Sequence, residues 1–145
     1  GGRDLPIFSQ IQSASRYGLL KSMANSVNGI LMGTSSFWEG IDLSGDMLEI
    51  LIITKLPFQV PSDPIVKAYG DKLSDNNMNP FLNFTVPECI LKYRQGFGRL
   101  IRTSFDQGIF IVLDNRIVTK RYGQQFQDAI PVEMQMFSTL DSLIL

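Results

Sequence analysis

The stretch QGFGRLIR (95–102) sets one carboxamide, two glycines and two guanidinium groups among apolar residues. On a helix turning ~100° per residue, with Gln95 as origin, Arg99 falls about 40° to one side and Arg102 about 20° to the other. Ile90, Tyr93, Phe97, Leu100 and Ile101 lie opposite, between about 140° and 240°, and only Leu91 breaks the separation. The polar line suits a polyanion, because forked guanidinium groups match phosphate oxygens in geometry and charge. Gly96 and Gly98 flank it and permit another surface to come close. An amphipathic helix with two surface arginines explains the stripe. It does not explain the glycines, which together cost roughly 1–2 kcal/mol in a helix interior.

A second group lies upstream, in GTSSFWEGIDLSGD (33–46). It follows an apolar run, and the loop at the C-terminal end of a strand is where open parallel sheets place ligand groups. Thr34, Ser35 and Ser36 offer hydroxyl and main-chain donors to a phosphate; Asp42 is an acceptor for a ribose hydroxyl or a water. A polar turn with a helix-capping serine fits the same residues. Trp38 is either a hydrophobic anchor or a platform for a base.

These groups need elements to hold them. NGILMGTS (28–35), LEILIITKL (48–56) and GIFIVLDNR (108–116) read as buried strands, the second covered on both faces. Helical spacing predicts a helix over 13–25, with Ser13 as N-cap and Ala14, Tyr17, Leu20 and Ala24 inward. Pro57, Pro61 and Pro64 exclude regular structure through PFQVPSDP, after which Ser62 or Asp63 caps a helix with Pro64 in its first turn. DNNMNP (75–80) is a break. A helix over 86–102 carries the arginines, with Glu88 in its first turn. Another spans 119–130, ended by Pro131. Strands alternating with helices indicate an α/β layered fold with a mostly parallel sheet. The chain opens without a recognisable first strand, so earlier strands are expected upstream.

Composition narrows the chemistry. A length of 145 residues suits one folded domain with a real core. The longest apolar runs, LEILII and GIFIVL, fall far short of the ~20 residues of a membrane span, and no signal peptide is visible. A cytoplasmic location without membrane contact is expected. Cys89 is the sole cysteine and histidine is absent. That excludes an internal disulfide, an all-cysteine metal site and the histidine-dependent triads. The net charge of −1 hides a polarity, with residues 92–121 at +5 and the remainder at −6. On charge alone a solvated basic helix is the simpler reading.

QGFGRLIR resembles motif VI of superfamily 2 helicases, Q-x-x-G-R-x-x-R, and the 33–46 loop resembles motif V. The EGID core of that loop (Glu39, Gly40, Ile41, Asp42) is the form typical of XPD/DinG-type DNA helicases. The order of motif V, LEILIITKLPFQVPSDP, motif VI and DQGIFIVLDNR is similar to the second lobe of DinG-like helicases over about residues 29–116. The resemblance implies an α/β, RecA-like (P-loop NTPase-like) lobe over 1–145, lacking its first strands and a motif IV strand, with the first RecA-like lobe upstream.

It implies further that ATP sits between the two lobes. Gln95, Arg99 and Arg102 are then the catalytic residues, with Arg99 and Arg102 neutralising γ-phosphate charge. Glu39, Gly40, Asp42 and Gly98 bind or couple the nucleotide, and Thr34, Ser35 and Ser36 contact single-stranded DNA. The chain departs from a complete motor, having no G-x-x-x-x-G-K-[ST] loop and no D-E-A-H-like box. ATP and Mg²⁺ would be held mainly by the first lobe, so no metal site is expected here and the chain alone should be inactive. Any iron–sulfur cysteines or exonuclease domain would also lie upstream. A non-catalytic interaction domain and an RNA-directed helicase lobe are the alternatives.

Overall fold

The computed structural model describes residues 5–10, 15–34, 37 and 47–139. In chain order they form β1 (Ile7–Ser9), α1 (Arg16–Ala24), β2 (Ile30–Met32), β3 (Ile50–Ile53), α2 (Pro64–Asp75) and a π-helical turn (Phe81–Thr85). Then come α3 (Val86–Leu100), β4 (Ile109–Val112), α4 (Arg116–Thr119) and α5 (Gly123–Asp128). β1 and β2 pair in parallel, Ile7 opposite Ile30 and Ser9 opposite Met32. β3 and β4 form a second pair. In it the Ile109 amide donates to the Glu49 carbonyl and the Leu113 amide to the Ile53 carbonyl, both at 2.9 Å. Donors and acceptors advance together, so this pair is parallel too. The α/β class with parallel strands is the one the sequence implies.

Several expectations need correction. A strand does occur near the start: β1 has only three residues behind Pro6, too few for a readable period. Ser15, not Ser13, caps α1, its Oγ accepting from the Gly18 amide at 3.1 Å. Ser13 and Ala14 lie outside the described residues. Leu19 is the buried position of that helix, whereas Tyr17 is 77% exposed. β3 is covered on one face only, since Leu51 and Ile53 turn inward while Ile50 and Ile52 stay about half exposed. Asp63 caps α2 as expected, accepting from the Ile65 amide at 2.8 Å with Pro64 in the first turn.

Of the helix expected over 119–130 only α5 forms, while α4 lies before it and ends at Thr119. Lys120 is extended, and a Cβ at Gly123 would sit 2.2 Å from the Ile117 carbonyl oxygen. Only glycine allows the second helix to start against the first.

By its contacts the chain divides into two units, Gly1–Ile52 with Gln95–Ile111 and Ile53–Arg94 with Val112–Leu145. In the first, Leu19 and Phe37 are buried, with Phe8, Leu20, Leu31, Met47 and Leu48 packed on them. In the second, Val86, Cys89, Tyr93 and Phe126 are fully covered. Burial pushes the Cys89 thiol up to about 12, which leaves it inert.

Asp114 ties the second unit together. Its Oδ2 accepts from the Leu56 amide at 2.8 Å and from Arg116 Nη2 at 2.6 Å, and Oδ1 accepts from Arg116 Nε at 2.9 Å. Arg116 in turn covers the Phe58 ring at 5.0 Å. The Arg116 hydrogen bonds, more than the Leu56 amide, hold the buried carboxyl down at about 2. A depressed carboxyl stabilises the fold above its ordinary range, and that contribution fades as pH falls below 3.8 towards about 2. Asp114→Ala strands a buried amide and a guanidinium, and should cost about 2–3 kcal/mol in urea unfolding at pH 7. At pH 2 the difference between variant and parent should shrink; an equal loss at both pH values would contradict the role of the charge.

Candidate functional site

α3 is built to present one face. Val86, Cys89, Tyr93, Phe97 and Leu100 are buried along it, at spacings of three and four residues. The opposite side leaves Gln95 and Gly98 exposed and Arg99 half-buried, with Leu91 exposed among them as expected. Gln95 and Arg99 are one turn apart and so project from the same face. A Cβ at Gly98 would meet nothing within 4 Å. Among the described residues nothing requires a glycine there, and it leaves a gap on the polar face. Gly96, by contrast, is buried and does not flank the polar stripe.

Arg102 is not on the helix. α3 ends at Leu100, and the Ile101 amide makes a last helical bond to the Phe97 carbonyl at 3.0 Å. From Arg102 the backbone folds around the Asp106 carboxylate. Asp106 Oδ2 accepts from the Arg102 amide at 2.7 Å and the Thr103 amide at 2.8 Å, and Oδ1 accepts from the Thr103 hydroxyl at 3.0 Å. The Phe105 amide closes the turn onto Thr103 Oγ1 at 3.3 Å. These bonds, the Thr103 amide first, hold the Asp106 carboxyl below its usual range. The chain then enters β4 through Gly108, where a Cβ would lie 2.5 Å from Leu100 Cδ1.

Asp106 is not among the residues singled out from the sequence. The readable signal was Thr103-x-x-Asp106, the spacing at which a hydroxyl and a carboxylate cap exposed amides. The basic segment is also less open than its charge suggests, since Arg116 is spent on Asp114.

In the upstream loop Thr34 is described and exposed. Its amide and hydroxyl both donate to Gln10 Oε1, at 3.1 and 3.2 Å, and its carbonyl accepts from the Phe37 amide. Gly33 packs against the Phe37 ring, which a Cβ would approach to 2.9 Å. Ser35, Ser36, Trp38, Glu39, Gly40 and Asp42 lie outside the described residues. Among the described residues no three His, Cys, Asp or Glu side chains gather as a metal site, and no helix is long and apolar enough to cross a membrane.

Comparison with known proteins gives the family in which this face of α3 and its capped loop occur. Residues 2–133 match the family Helicase C-terminal domain, and the chain belongs to that family, in its XPD/DinG branch. It is 40% identical over 117 residues to the ATP-dependent DNA helicase YoaA of Haemophilus influenzae, covering 81% of this chain and 18% of that protein. It is 43% identical over 113 residues to the 3′-5′ exonuclease DinG of Bacillus subtilis (78% and 12%). With the ATP-dependent DNA helicase DinG of Photobacterium profundum it shares 47% identity over 102 residues (70% and 15%). The chain thus spans less than a fifth of the length of each of these three relatives.

Proposed function

We propose that this chain is the C-terminal motor lobe of a DinG-like, ATP-dependent DNA helicase, working against an upstream RecA-like lobe that holds most of the ATP. One observation carries the reading: α3 buries Val86, Cys89, Tyr93, Phe97 and Leu100 on one face and offers Gln95, Gly98 and Arg99 on the other, next to an Arg102 whose backbone is capped. Two guanidinium groups fit phosphate oxygens, and the open side of Gly98 lets a nucleotide-bearing surface approach.

In this reading Arg99 and Arg102 neutralise the charge that shifts on the γ-phosphate as its bond to the leaving oxygen breaks. Gln95 orients the γ-phosphate or the attacking water. Mg²⁺ would lower the charge on the triphosphate, held by acids of the upstream lobe. Glu39, Gly40 and Asp42 link the nucleotide to the strand-gripping surface. Thr34, Ser35 and Ser36 hold phosphates of single-stranded DNA without reading sequence, with Thr34 exchanging its Gln10 bonds for a phosphate oxygen. Opening and closing of the two lobes then moves the strand.

A lobe of this kind supplies arginines but no triphosphate cradle. The purified 145-residue chain should therefore show no ATP turnover above background, with or without single-stranded DNA, whereas the full-length protein should be stimulated by it. DNA-stimulated turnover by the isolated chain would overturn the two-lobe reading. Stimulation of the full-length protein by RNA alone would assign the lobe to RNA, and none by either strand would make it a binding domain.

A further inference from the structure

We propose that Asp106 is a positioning residue for Arg102. The inference rests on the reading of Arg102 as a nucleotide-facing group and adds what holds it there. Arg102 stands two residues past the end of α3, and its amide donates to the Asp106 carboxylate. An exposed arginine on a loose loop would have to be ordered each time it met the phosphate, and that ordering would be lost from the rate.

The loop is not loose at its root. Leu100 is buried and anchors one side. On the other side a single carboxylate oxygen takes both the Arg102 and Thr103 amides, while its twin takes the Thr103 hydroxyl. The Asp106 amide itself donates to the Thr103 carbonyl at 3.3 Å, completing a closed five-residue turn. Asp106 is exposed and packs into no core, so its bonds serve the course of the backbone from Arg102 onward. The carboxylate also draws these amides away from α3, stopping the helix where the arginine must leave it.

Geometry, more than charge, is what the turn needs. Both amides go to one oxygen, so an asparagine can keep them on its Oδ1 and give its Nδ2–H to the Thr103 hydroxyl. A glutamate keeps the charge but carries the oxygens one carbon too far. In the full-length protein, Asp106→Ala should lower DNA-stimulated kcat by about 10- to 100-fold with little change in ATP affinity. Asp106→Asn should restore most of it, and Asp106→Glu should not.

The decisive readout is coupling. In an Arg102→Ala background, Asp106→Ala should change kcat by less than about twofold, because the group it positions is gone. A full, additive loss in that background, or rescue by Glu and not by Asn, would overturn the proposal. So would an Asp106→Ala variant with normal kcat while Arg102→Ala is impaired. Should Arg102→Ala itself leave kcat unchanged, the reading of the site fails first and the positioning role with it. If Asp106→Ala does not fold, the Asn and Glu variants decide the question alone.

Discussion

Arg102→Ala in the full-length protein is expected to lower kcat for DNA-stimulated ATP hydrolysis by roughly 10³-fold or more, the scale on which arginine fingers act. That corresponds to about 4 kcal/mol of lost transition-state stabilisation. ATP affinity should fall far less, because ground-state binding is assigned to the upstream lobe. Arg102→Lys should recover little. A lysine supplies a point charge, whereas the transferring phosphoryl group presents several oxygens to a planar fork. A solvated surface arginine would instead give near-normal turnover in both variants, with steady-state kinetics at saturating ATP separating the two cases.

The second large effect concerns stability. Phe126 is fully buried and meets Tyr93 edge-on at 5.4 Å, Phe58 at 6.1 Å and Tyr122 at 6.3 Å. Phe126→Ala removes a ring that three others pack against, and the short α5 cannot collapse far while Gly123 is lodged against Ile117. The cost should be about 3–5 kcal/mol, read by chemical denaturation of the purified chain. A loss below about 1 kcal/mol would mean that this aromatic cluster does not hold the second unit.

The residues behind these expectations were not equally legible. The two faces of α3 could be read from spacing alone, because a helical period records burial directly. The strands over 30–32, 50–53 and 109–112 were legible as apolar runs, but their burial was not, since Ile30, Met32, Ile50 and Ile52 are exposed. Where α3 stops was not, because the stop depends on a carboxylate four residues beyond Arg102 competing for its amide. The burial of Gly96 was missed because Gly96 and Gly98 were read together as an opening. In the structure one touches the core and the other faces out. The division of α4 from α5 depends on a contact between Gly123 and the Ile117 carbonyl, which no local propensity reports. The roles assigned to Glu39, Gly40 and Asp42 come from resemblance to motif V, and the described residues stop short of them.

Arg99 isolates the nucleotide-facing side of α3, since it lies beside the open Gly98 and its loss leaves the capped loop untouched. The measurement is kcat and the ATP Kd of full-length Arg99→Ala at saturating single-stranded DNA. A guanidinium acting on the γ-phosphate predicts a fall in kcat of at least about 10²-fold with Kd within a few-fold of the parent. An unchanged kcat would contradict the assignment of this helix face to the nucleotide.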